Sequence, residues 1–298
     1  MWHMGLRLPW TWRLGPSNAS ERGDVIDMLE IEEFPENTLF CGDAGFVGYP
    51  LWSAIVSQGH HFLVRVGGNV NLLVERGDAE LKENMMVLSW PQSAMKAGQP
   101  ALHLRLVKVR VGKTWMWLLT SVLDKEQLSV RTIRELYKQR WGIEVEFRGL
   151  KQTLDKAQLR CRTSARAKVE LHWSLMAMTV AELFALKEQL PQPKANSPGA
   201  LDPLESDPDP MKRSLAGTIR AMRWSLTHLH EVAESDEKSL PTALRNAKTD
   251  DSQRTASKAA RYRPPNPDKK PLGEPNIRRL SAEEMKKLKE LKQRDLSA

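Results

Sequence analysis

Residues 129–154 carry the pattern that most restricts how this chain folds. Leu136, Ile143, Phe147, Leu150 and Leu154 recur at helical spacing. At about 100° per residue they share an arc of roughly 60°. A polar stripe runs beside them. With Tyr137 at zero, Arg140 falls at about 300°, Glu144 at about 340° and Lys151 at about 320°. Such a helix packs its apolar stripe on a sheet and turns the neighbouring stripe toward a cleft. Glu146 projects at about 180°, so the spacing selects Glu144 over Glu146 as the cleft carboxylate. The ordinary alternative is a surface helix laced by i,i+4 pairs such as Arg140–Glu144. Spacing alone does not separate the two.

The rest of the chain reads as alternating elements. LRLPWTWR (6–13) predicts a short edge strand interrupted by Pro9. Ser17–Ser20 offer N-caps for an amphipathic helix over ERGDVIDMLEIEEF. NTLFCG (37–42) is a compact apolar strand that runs into Asp43-Ala-Gly-Phe-Val-Gly. A helix is predicted over 50–57 and a buried strand over HFLVRV (61–66). Between 67 and 126, strands at 70–74, 85–90, 102–109 and 114–122 are punctuated by Gly67-Gly68, Gly98-Gln-Pro100 and Gly112-Lys113, a β-rich stretch. A second helix at 166–188 is apolar enough to be a core helix. Trp141 and Trp173 are expected to pack on their helices.

Composition constrains partners more than fold. The 298 residues carry a formal charge of +8, which favours a polyanion. From Asp251 onward 13 Lys/Arg stand against 7 Asp/Glu, so most of the excess sits in the tail. Residues 191–210 hold six prolines and read as a linker or disordered loop, followed by a helical segment at 211–234. No continuous apolar run approaches the roughly 20 residues that span a bilayer, and no secretory signal is visible. Cys41 and Cys161 are 120 residues apart and form no CxxC pair, so neither zinc nor a disulfide framework is supported. His60 and His61 read as turn residues leading into a strand. Arg65 reads equally well as a cleft cation or a buried ion-pair partner.

Asp43 is the second candidate carboxylate. It ends a buried strand ahead of a Gly-rich turn, where ligand sites of open α/β sheets form. A turn aspartate is the commoner reading of Asp-x-Gly taken alone.

Together, GDAGFVGYPLW, HFLVRVGGNVNLL and LYKQRWGIEVEFRGLKQTL resemble the insertion-sequence transposases of the DDE class that carry the YREK signature. The likeness covers about residues 6–190, with a weaker match in the tail at NPDKKPLGEP. It implies an α/β fold: a ribonuclease-H-like mixed sheet flanked by helices, a β-rich insertion at about 67–126, and an α-helical, partly disordered C-terminal region. The implied organisation is a catalytic domain over 1–190, a linker at 191–210 and a helical segment with a basic tail over 211–298. Asp43 and Glu144 correspond to the second and third catalytic, metal-binding carboxylates. Tyr137, Arg140 and Lys151 correspond to contacts with the transposon end. The implied cofactor is Mg²⁺ or Mn²⁺, two ions in an intact site. The implied partners are double-stranded terminal inverted repeats and target DNA, with a homodimer on paired ends and no membrane, in the nucleoid-associated cytoplasm. The family's first aspartate lies upstream of the segment matching LPWTWRLGP. Asp24 and Asp27 sit on the wrong element to replace it, so a chain truncated there is expected to be impaired. The alternatives are a non-catalytic DNA-binding remnant and a non-functional fragment.

Overall fold

The computed structural model describes residues 1–16, 18–75, 80–112, 114–190, 213–228, 239–248 and 272–295. In chain order the strands are β1 (Trp2–His3), β2 (Leu8–Pro9), β3 (Leu39–Gly42), β4 (His61–Val66), β5 (Asn71–Val74), β6 (Asn84–Ser89), β7 (Leu102–Val111), β8 (Thr114–Thr120) and β9 (Asn276–Arg279). The helices are α1 (Glu21–Ile31), α2 (Tyr49–Ser57), α3 (Gln92–Lys96), α4 (Val130–Gln139), α5 (Gly142–Arg148), α6 (Ser164–Gln189), α7 (Leu215–Thr227), α8 (Leu240–Arg245) and α9 (Ala282–Asp295). The proline-rich stretch 191–210 lies outside the described residues, as does the tail from Asp251 to residue 271. The chain divides into two compact units. One comprises Gly15–Arg140 and Arg263–Ala298, the other Met1–Leu14 and Trp141–Tyr262.

The first unit holds a seven-stranded mixed sheet in the order β3-β4-β8-β7-β6-β5-β9. Pairing is parallel at β3–β4 and β5–β9 and antiparallel elsewhere. HFLVRV forms a strand because its apolar residues serve both faces. Phe62, Val64 and Val66 join a core with Trp52, Ile55, Leu104, Leu106 and Leu288. Leu63 joins Val107, Leu118, Ile133 and Tyr137 in a second core. A strand covered on both faces reads as a nearly continuous apolar run. Phe62 and Leu63 are fully buried, each contributing about 1.5–3 kcal/mol relative to exposure. Helices thus cover both faces: α1, α2, α3 and α9 feed the first core and α4 the second. Ser20 starts α1 by accepting from the Gly23 amide at 3.3 Å, and Ser129 starts α4 by accepting from the Thr132 amide at 3.1 Å.

The second unit pairs β1 with β2 and packs α6, α7 and the turn after α5 around Leu150, Met178 and Leu215, with α8 against α6 and α7. The expected strand over 6–13 contracts to Leu8–Pro9. Three helical expectations change as well. The continuous helix over 129–154 is interrupted at Arg140–Trp141, and its last stretch, Gly149–Thr153, is a π-helical turn in which the Leu154 amide reaches the Gly149 carbonyl at 3.1 Å. Arg140 and Trp141 keep right-handed helical dihedrals although the run of helical hydrogen bonds lapses there. Glycines admit close neighbours here. A Cβ on Gly142 would lie 2.0 Å from the Trp2 ring, and one on Gly149 would lie 2.5 Å from Leu215 Cδ2. Second, α6 is not a core helix. It buries Met178, Ala181, Glu182, Ala185 and Leu186 and exposes Val169, Trp173, Met176, Val180, Leu183 and Phe184. Trp141 and Trp173 are therefore surface residues. Third, α6 is long and apolar enough to cross a membrane by length and composition, although no uninterrupted apolar run is visible in its sequence. Its Glu182 is buried within the unit instead.

Candidate active site

Asp43 follows β3, whose parallel register with β4 sets Gly42 opposite Val64. One residue further on, Asp43 and Arg65 lie at the same end of the sheet. The turn reading of the aspartate is the one observed. Its Oδ1 accepts the Gly45 amide at 2.7 Å, an Asx turn, while the residue stays exposed. The turn is braced from behind. The Phe46 amide bonds the Asp43 carbonyl at 3.2 Å, and the Trp52 indole donates to the Phe46 carbonyl at 3.2 Å. Gly42 is required by closeness, since a Cβ there would stand 2.9 Å from Phe46 Cβ.

Tyr137 comes to the same place from α4. Its ring is buried against Leu63 and Val107, and the Arg140 guanidinium lies over it at 5.7 Å. Burial pushes the phenol's pKa up, and Arg140 and Arg65 pull it back, while Asp43 raises it. Asp43, Arg65, Tyr137 and Arg140 therefore share one electrostatic neighbourhood. Arg65 is half-buried at that end of the sheet. Cys41 packs on the same core. Burial pushes its thiol up to about 12, with Arg140 opposing, so it is no nucleophile at neutral pH.

Glu144 and Lys151 belong to the second unit. Glu144 lies half-buried in the first turn of α5, its amide bonded to the Trp141 carbonyl at 3.1 Å. Lys151 is exposed on the π turn. The unbroken wheel that separated Glu144 from Glu146 does not form. Within α5, Glu146 is buried and Phe147, expected on the apolar stripe, is exposed.

Glu146 belongs to a polar core that sequence reading missed. It shares a carboxyl–carboxyl hydrogen bond with Glu182 of α6, and both feel Arg7 and Arg213. All four residues are buried. Arg213 donates through Nη2 to the Leu6 carbonyl at 2.8 Å and to the Arg7 carbonyl, tying the N-terminal hairpin to the helices. Burial, and then the Glu146 charge, push Glu182 up to about 9; burial likewise raises Glu146. A lone carboxylate in the apolar run MTVAELFAL was the only local signal.

His60 is buried among Phe34 and Phe40, and His61 meets the Ser121 hydroxyl at 3.3 Å. Among the described residues no group of three His, Cys, Asp or Glu forms a metal cage, and both cysteines are free.

The profile of the transposase DDE domain matches residues 9–180, more than half of the chain. This chain belongs to the transposase DDE domain family. It is similar to the transposase InsG for insertion sequence element IS4 of Escherichia coli (strain K12), with 27% identity over 147 residues. That match covers 47% of this chain and 33% of the relative, so the shared region is about a third of that protein's length. Enzymes with the DDE domain generally use divalent metal ions. The mixed sheet flanked by helices is consistent with the ribonuclease-H-like fold expected of the family.

Proposed function

We propose that this DDE-domain chain cuts and joins transposon ends by phosphoryl transfer, with Asp43 and Glu144 as its metal-holding carboxylates. The observation that carries this is the family match over 9–180, within which Asp43 ends a strand in the electrostatic field of Tyr137, Arg140 and Arg65. The Asp43 carboxylate fits Mg²⁺ or Mn²⁺: it is exposed, it is a hard oxygen donor, and one oxygen is held by the Gly45 amide. Two such ions, when bound, supply charge neutralisation at the transferring phosphate and a more acidic water. The chain's own residues hold the DNA. Arg140 offers a planar fork for a phosphate, buttressed by the buried Tyr137 ring. Tyr137, Arg140 and Lys151 act as the YREK contacts to the terminal repeat. The partners are double-stranded ends and target DNA, with two copies on paired ends.

The test is a duplex bearing the repeats that flank its own reading frame, with Mg²⁺ or Mn²⁺ over a range of salt. The expected result is salt-sensitive binding and metal-dependent nicking that D43N and E144Q each abolish. Nicking indifferent to both substitutions overturns the carboxylate assignment. Salt-sensitive binding with no nicking under either metal leaves the non-catalytic DNA-binding reading in its place.

A further inference from the structure

We propose that Glu274 is an intrachain plug, seated where a nucleic-acid phosphate binds a second cleft of the sheet-bearing unit. This rests on the nucleic-acid reading above. The cleft, of about 360 Å³, is lined by Arg65, Lys108, Trp115, Trp117, Leu272 and Glu274, among other residues. The β7–β8 register builds it. Lys108 pairs with Trp117, and Trp115 follows two residues away on the same face. The Lys108 ammonium lies 5.1 Å from the Trp117 ring and 5.9 Å from the Trp115 ring. Trp117 is buried and Trp115 is half-exposed. A cation held by two indoles, one open to solvent, is the composition that grips a strand by its backbone and offers a stacking face beside it.

In this structure a carboxylate fills the place. Glu274 Oε1 lies 3.6 Å from Lys108 Nζ and accepts the Trp117 indole N–H at 3.3 Å. The segment carrying it is laid down closely. The Gly68 amide bonds the Leu272 carbonyl at 2.7 Å, and a Cβ on Gly67 would stand 2.4 Å from Leu272 Cγ and 2.5 Å from its carbonyl oxygen. Downstream, β9 is fastened to β5 over four residue pairs. The Glu274 side chain is itself mostly exposed, and an exposed ion pair yields readily to a competing anion.

The experiment measures binding of a short fluorescent single-stranded oligonucleotide to the whole chain against salt, for the parent, E274Q, K108A and K108A/E274Q. E274Q is expected to tighten binding about threefold or more. It should also steepen the logarithmic salt dependence by about 0.7, the value for one further phosphate contact on a single strand. The gain should vanish in K108A/E274Q. A second readout needs no DNA: tripolyphosphate should speed hydrogen exchange at the Gly68 amide, and G67A should speed it without any anion. Faster exchange with no oligonucleotide binding keeps the plug and removes the nucleic-acid reading. Oligonucleotide binding indifferent to E274Q, or a gain that survives K108A, overturns the plug.

Discussion

Two carboxylates in this chain are placed under opposite constraints. Asp43 is exposed and tied to a turn, so Asp43→Asn keeps an oxygen for the Gly45 amide. Its expected effect on stability is under about 0.5 kcal/mol, checked by urea unfolding, while any metal-dependent nicking is lost. Glu182 is buried, and its pKa rises from 4.5 to about 9. Between those values the folded chain keeps a proton that the unfolded chain has released, so rising pH draws the equilibrium toward unfolding. The stabilising contribution is full below about pH 4.5 and is lost by about pH 9. Thermal midpoints from pH 5 to 9 should therefore fall, and Glu182→Gln should flatten that slope and be the more stable form at alkaline pH. An unchanged slope in Glu182→Gln would place the titration elsewhere.

At the scale of elements, caps and close approaches decide where helices begin and break. Ser129→Ala removes the acceptor for the Thr132 amide and should cost about 1 kcal/mol. At the start of α5, packing restricts the residue type. Gly142→Ala drives a methyl into the Trp2 ring and is expected to destabilise by roughly 1–3 kcal/mol. In a Trp2→Ala background that penalty should largely disappear, a coupling readable by a double-mutant cycle. Additive costs would mean that the glycine serves the backbone and makes no room for the ring.

At the scale of the whole molecule, α6 presents Val169, Trp173, Met176, Val180 and Leu183 along one exposed stripe, with Trp173 65% exposed. An apolar patch of this kind is an association surface or an aggregation liability. Trp173→Gln combined with Val180→Gln should raise the concentration at which the chain stays monodisperse in sedimentation, with an unchanged thermal midpoint. A sharply lowered midpoint would show that these side chains are packed in solution. The charge distribution acts at the same scale. The tail from Asp251 holds most of the basic excess, so long-range attraction to DNA is expected to weaken steeply with salt.

Local chemistry was legible in advance. The strand ending at Asp43, the β4 strand, the four strands between 67 and 126 and the Ser20 cap follow from periodicity and capping, which act between near neighbours in the chain. The family likeness rested on local spacing too, from Tyr137 to Lys151. What sequence did not disclose depends on residues far apart in it. Trp2 against Gly142, Leu215 against Gly149, Arg213 on the Leu6 carbonyl, Glu146 sharing a hydrogen bond with Glu182 and Glu274 on Lys108 are all meetings that no window of the sequence encodes. Periodicity states which face of a helix is apolar; only packing decides whether that face is covered. That is why α6 read as a core helix and stands half in solvent. It is also why a wheel drawn through 129–154 put Phe147 on the apolar stripe, although the folded chain leaves it exposed.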